Sequence, residues 1–128
     1  IAKLVQISTT GVPEFIQKGF IKALKNHELL VQEVMNNLHV SRDFVYNKMK
    51  SWSKLKINKP DSAFYFFFKA FEATDSISFC KNLIKKTQVG LAPGIAFGKT
   101  GDNFIRLCFA ADIKFLENIL ERLEKEFY

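Results

Sequence analysis

From His27 to Trp52 the sequence runs without a glycine or a proline, and Leu30, Val34, Met35, Leu38, Val45, Met49 and Trp52 keep a roughly helical stripe through it. At 1.5 Å per residue an unbroken helix over that stretch is a rod of ~35–40 Å, longer than a compact domain of this size needs for itself. Such a helix usually bridges two bodies. Val40-Ser41 is where it would bend or divide, so one helix and two shorter ones are both open at this point.

The rest of the chain must supply what such a helix packs against. Its 128 residues are one domain's length, and 48% hydrophobic residues, with 14 Phe, allow a real core and exclude disorder as the main description. The longest apolar runs, such as Ala63 to Phe68, fall far short of the ~20 residues that cross a bilayer. Cys80 and Cys108 stand in apolar stretches without a CxxC pair, which fits a reducing compartment, the cytoplasm by default. No secretory signal pattern opens the chain. It begins at Ile1 instead of a methionine, so we expect a processed N-terminus or a piece of something longer.

Shorter elements flank the long helix. Ala2 to Ile7 alternates weakly and reads as a strand, followed by a Ser8-Thr9-Thr10-Gly11 loop and a helix from Pro13 to about Leu24. Asp61 to Phe68, dense in Phe and Tyr, reads as a strand. Asp75 or Ser76 caps a helix with the stripe Ile77, Cys80, Leu83 and Ile84, and Val89 to Gly98 reads as an extended segment punctuated by glycine. In the strand Phe104 to Ala110 a period of two sorts Ile105, Leu107 and Phe109 to one face and Phe104, Arg106 and Cys108 to the other. Asp112 caps a last helix with the stripe Phe115, Leu116, Ile119, Leu120, Leu123 and Phe127. The expected fold is α/β of the two-layer α+β kind: a small mixed or antiparallel sheet covered by helices and approached by the long one.

Little in this chain carries recognisable chemistry. His27, His39, Cys80 and Cys108 lack the spacing of a metal site, His39 reads as a partly buried structural residue, and no nucleophile or nucleotide-cradling motif is present. The net charge of +6 admits acidic partners or nucleic acid, but the positive residues are scattered, and the densest basic group, Lys48, Lys50, Lys54, Lys56 and Lys59, reads more readily as a solvated helix end and loop. Arg106 is the informative residue. A guanidinium centred in an apolar strand is tolerable only if its fork meets an acid or its head reaches water, and its best partner is a carboxylate held by two parallel bonds. An internal ion pair, a snorkelling side chain and a ligand site are all open on these grounds.

The order Gly94-x-x-Phe97-Gly98-x-x-Gly101 and then Phe104-Ile105-Arg106-Leu107-x-Phe109-Ala110 resembles the C-terminal signature of the class I/II, aspartate-aminotransferase-like, fold-type I enzymes that use pyridoxal phosphate. Lys59 to Phe67 resembles that family's P-x-G-A-F-Y strand, with Asp61-Ser62 departing from it where glycine is usual. Arg42-Asp43 resembles its basic-acidic helix pair, and Ser8-Thr9-Thr10 before Pro13 the segment that follows its catalytic lysine region.

The resemblance implies that residues 26–128, long helix included, are the family's C-terminal small domain and that 1–25 are a remnant of its large cofactor-binding domain, with an exposed apolar patch at Phe15, Ile16 and Phe20. It makes Arg106 the clamp on the substrate's α-carboxylate, with Phe97 and Gly94 beside it at the substrate entrance, and no catalytic or metal residue in this chain. It further implies amino-acid and 2-oxo-acid substrates, a homodimer, and pyridoxal 5'-phosphate held by the missing large domain, so that this chain alone is inactive. The alternative is a free-standing basic module for acidic partners or nucleic acid.

Overall fold

The computed structural model describes residues 1–9 and 11–128, which form two compact units, Ile1–Asn36 and Asn37–Tyr128. The first holds helices α1 (Ala2–Thr9) and α2 (Glu14–Lys25) and the start of α3 (His27–Met49). The expected strand at Ala2 to Ile7 is therefore a helix. Its alternation is weak, and within a helix the local hydrogen bonds close on themselves: the Ser8 and Thr9 hydroxyls donate to the carbonyls of Leu4 and Val5 at 2.6 and 2.7 Å. A strand there would need a pairing partner, and the only described sheet lies between residues 55 and 108. Helix runs through Thr9 where a loop was expected, and Thr10 lies outside the described residues.

Pro13 stands at the N-cap of α2, one position before the expected first turn. Neither α1 nor α2 buries a side chain, and Phe15, Ile16 and Phe20 are 75, 48 and 65% exposed, the apolar patch expected there. Asn26 separates α2 from α3, donating its backbone N–H to Ala23 and Leu24 and its amide to Lys22. From His27 the helix is continuous through Val40-Ser41, and Trp52, expected at its end, is buried beyond it. His39 is exposed, not partly buried.

The second unit is a sheet with helices on one face. Strands β1 (Leu55–Lys56), β2 (Tyr65–Ala70), β3 (Ala92–Pro93) and β4 (Phe104–Cys108) lie in the order β1-β2-β4-β3, each pair antiparallel, so of the two arrangements expected the sheet takes the antiparallel one. β2 starts at Tyr65 because Ala63, in the turn before it, has a φ of 63° that no strand residue adopts. The alternation in β2 and β4 turns Phe66, Phe68, Ile105 and Leu107 inward, with Phe109 just beyond β4. These pack with Val45 and Met49 of α3, Cys80 and Leu83 of α4 (Ser76–Thr87), and Leu116, Leu120, Leu123 and Phe127 of α5 (Ile113–Phe127).

Both later helices start at the expected caps. Asp75 accepts from the N–H groups of Ile77 and Ser78, and Asp112 from that of Phe115. The stripes differ in part: Ile77, Ile84 and Phe115 are exposed, while Ser76 and Thr87 are buried with their hydroxyls bonded. A hydroxyl that finds a partner can take an inward position that hydropathy alone would give to an isoleucine.

Candidate functional site

The face of the sheet turned away from the core carries Tyr65, Phe67 and Lys69 on β2 and Phe104, Arg106 and Cys108 on β4. Register sets their neighbours: Phe67 lies directly opposite Arg106, and Tyr65 opposite Cys108. Paired residues share a face, so Tyr65 is the diagonal neighbour of Arg106, within reach of a long side chain. Arg106 is half-buried, and its Cζ lies 4.2 Å from the centroid of Tyr65 and 4.2 Å from that of Phe97. Phe67 stacks on Phe104 at 5.0 Å and meets Phe97 edge-on at 6.0 Å, so aromatic rings wall the cation.

No acid pairs with Arg106 and no acceptor takes its hydrogen bonds among the described residues. An internal ion pair, one of the arrangements left open by the sequence, is therefore absent from that set. Attraction to an aromatic face uses the charge of a guanidinium but none of its five N–H donors. The fork is left for an external anion, best a carboxylate that takes two parallel bonds.

Phe97 reaches Arg106 because of the turn that carries it. After β3 the expected extended segment closes into two short 3₁₀ turns, Gly94–Phe97 and Lys99–Gly101, with Gly98 between them at a φ of 137°. Gly94 and Gly101 face each other so closely that a Cβ on Gly94 would fall on the carbonyl oxygens of Gly101 and Phe104. Gly94 is buried, so it shapes the turn while Phe97, half-exposed, presents a ring.

A polar latch ties this turn to α4. The fully buried Ser76 donates its N–H and hydroxyl to one oxygen of Asp102, at 3.0 and 2.8 Å, and its hydroxyl accepts from the Ile95 N–H at 3.3 Å. The sequence placed Tyr65 only within the Lys59 to Phe67 strand resemblance, and neither it nor Asp102 was expected as a site residue. An Asp just after a glycine-rich turn and a Ser at a helix start are common features, and only the fold brings these two together.

The other candidates are structural. Arg42 donates to Asp43 at 2.9 Å and to the Pro60 carbonyl, and Lys59 pairs with the same Asp43 oxygen at 2.8 Å, tying α3 to the turn before β2. Those bonds, Lys59's first, hold the Asp43 carboxyl below its ordinary value. Within the basic group, Lys59 pairs with Asp43 and Lys54 lies 3.8 Å from Glu72, so part of its charge is met within the chain. No group of three or more metal-ligating side chains occurs among the described residues, and no described helix is long and apolar enough to cross a membrane.

No model of a known protein family matches the chain. Individual proteins do. A probable aspartate aminotransferase of Methanocaldococcus jannaschii is 34% identical over 125 residues, and an aspartate aminotransferase of Thermotoga maritima 33% over 125, covering 98 and 97% of this chain but 32 and 31% of those proteins. Among solved structures, an aromatic aminotransferase from Pyrococcus horikoshii OT3 superposes with a TM-score of 0.85 at 30% identity, over 97% of this chain and 34% of that one. Homology and fold both point to the fold-type I, class I/II aminotransferases. The chain spans about a third of the length of the curated relatives it matches.

Proposed function

We propose that this chain is the C-terminal part of a pyridoxal-phosphate-dependent aminotransferase and supplies Arg106 as the clamp on the α-carboxylate of amino-acid and 2-oxo-acid substrates. The observation that carries this reading is a half-buried guanidinium, packed on two rings, with no acid on its fork among the described residues. Transamination needs the bond to the α-hydrogen held in one orientation, and two parallel hydrogen bonds to the carboxylate fix the substrate against rotation. Phe97 forms one wall beside the bound acid, and Gly94 holds the turn that carries it.

Residues 1–25 belong, in this reading, to the large domain and 26–128 to the small one, in a cytoplasmic homodimer. The cofactor's own anchorage does not fit this chain. A lysine that forms an imine must be desolvated or activated to be nucleophilic, whereas none of the lysines here is buried. The chain alone is accordingly inactive, and no chemical step is assigned to its residues beyond binding and orientation.

The reading is tested by titrating the chain with pyruvate while following by NMR the backbone amide resonances of β4 and of the Gly94–Phe97 turn, which every variant retains. Saturable shifts are expected in the wild type and not in Arg106→Ala, and Arg106→Lys, which keeps the charge and loses the fork, should bind roughly tenfold more weakly. Equal binding by all three would overturn it. Transamination catalysed by the isolated chain with added cofactor would overturn the division of labour.

A further inference from the structure

The rings around Arg106 pose a question that the carboxylate reading leaves open: what keeps a half-buried cation in place when no carboxylate is bound. We propose that Tyr65 is a positioning residue for Arg106, its ring taking the place of a counter-ion so that the guanidinium fork is held ready and unspent. The proposal rests on the carboxylate-clamp reading and adds to it the residue that orients the clamp.

A buried charge is ordinarily held by an opposite one, and that solution would defeat this site. An aspartate or glutamate within reach of Arg106 would occupy the donors that an incoming carboxylate needs. An aromatic face attracts the cation through its quadrupole and leaves the donors at the edge of the guanidinium unused. Tyr65 and Phe97 both stand 4.2 Å from the Arg106 Cζ, but they differ in how firmly they are placed. Phe97 is 51% exposed on a short 3₁₀ turn ending at Gly98. Tyr65 begins a strand paired to β4 along Tyr65 to Lys69 and to β1 at Lys69 and Ala70, and its own partner, Cys108, lies two residues from Arg106 on β4. Residues two apart on a strand share a face, so the ladder that fixes Tyr65 also fixes the strand carrying Arg106.

The ring, and not the phenol, is the working part. The Tyr65 hydroxyl makes no hydrogen bond among the described residues, so the fold places no demand on it. Phenylalanine should therefore substitute for Tyr65, whereas a side chain of similar bulk without a π-face should not.

The test uses the ¹⁵N-labelled 128-residue chain with pyruvate as probe, in wild type, Tyr65→Phe, Tyr65→Leu and Tyr65→Met, with thermal melting as a check on folding. Tyr65→Phe should keep the ring-current-shifted, ordered Arg106 Nε–H signal and bind pyruvate within about twofold of wild type. Tyr65→Leu and Tyr65→Met should lose that shift, show a mobile Nε–H, and bind pyruvate roughly 3- to 20-fold more weakly at unchanged melting temperature. Unchanged Nε–H order and affinity in the Leu and Met variants would overturn the proposal. So would a Tyr65→Phe variant as impaired as the other two, because the hydroxyl would then be the group that matters. If pyruvate moves no Arg106 signal even in the wild type, the carboxylate reading fails. The comparison of Nε–H order among the variants still decides whether Tyr65 holds the arginine.

Discussion

Adding one methyl group at Gly94 should disable the site from its far side. The new Cβ would overlap the carbonyl oxygens of Gly101 and Phe104, both backbone atoms, so no side chain can swing away to make room. The Gly94–Phe97 turn would have to separate from Lys99–Gly101 or from the start of β4. Overpacking that can be relieved only by moving backbone lies at the upper end of the usual range, about 3 kcal/mol. With a urea slope of about 1.5 kcal/mol/M for a small domain, that lowers the unfolding midpoint by about 2 M. The assay is urea unfolding of Gly94→Ala followed by tryptophan fluorescence, since the single Trp, Trp52, is buried in the core of the second unit. Gly90→Ala is the control, because the nearest atom to its new Cβ, Ile84 Cδ1, lies at an ordinary 3.8 Å; it should stay within about 0.5 kcal/mol of wild type. Phe97 should also leave Arg106, which the Nε–H shift reports. A Gly94→Ala midpoint within about 0.3 M of wild type, with that shift unchanged, would refute the account of how this turn is built.

Asp102→Ala should cost about 2 kcal/mol in the same unfolding assay, because it strands the N–H of the fully buried Ser76, while Asp102→Asn, which keeps an acceptor, should cost less; a loss under about 0.5 kcal/mol in Asp102→Ala would mean the latch is unimportant, and equal losses that the acceptor is not what holds it. Ellman's reagent at pH 8 should label the exposed Cys108 at once and Cys80 only on unfolding, since burial pushes the Cys80 thiol up to about 11. Asp43 should titrate below its ordinary 3.8, so whatever stability it contributes is present above that pH and is lost as pH falls through its folded-state pKa; Lys59→Met should bring it back toward 3.8 in an NMR titration, and no change would remove Lys59 as the main cause.

What could be read in advance is what depends on near neighbours along the chain. The alternation of Ile105, Leu107 and Phe109 against Phe104, Arg106 and Cys108 needs only the pleat of one strand, and Asp75 and Asp112 cap helices within a few residues of themselves. The strand expected at Ala2 to Ile7 failed for the complementary reason. A hydropathy pattern reports secondary structure by way of the surface it is buried against, and the first unit's α1 and α2 bury none of their side chains. The pattern there had nothing among the described residues to match.

The site divides in the same way. Arg106 announces itself because a charge within an apolar strand is anomalous wherever that strand lies. Tyr65 does not, since an aromatic residue in a strand is ordinary, and its closeness to Arg106 follows from a register of Tyr65 against Cys108 that no local spacing encodes. Ser76 and Asp102 meet across 26 residues of sequence for the same reason. The consequence bears on how such a site can vary. A cation held by an acid is constrained by charge, and changing the acid leaves an uncompensated charge behind. A cation held by rings is constrained by shape: tyrosine and phenylalanine are interchangeable, aliphatic residues are not, and the fork remains available throughout. Exchange of Tyr65 for phenylalanine should therefore be silent for carboxylate binding, whereas an acidic residue at Tyr65 should hold Arg106 in place and still abolish binding by occupying its donors.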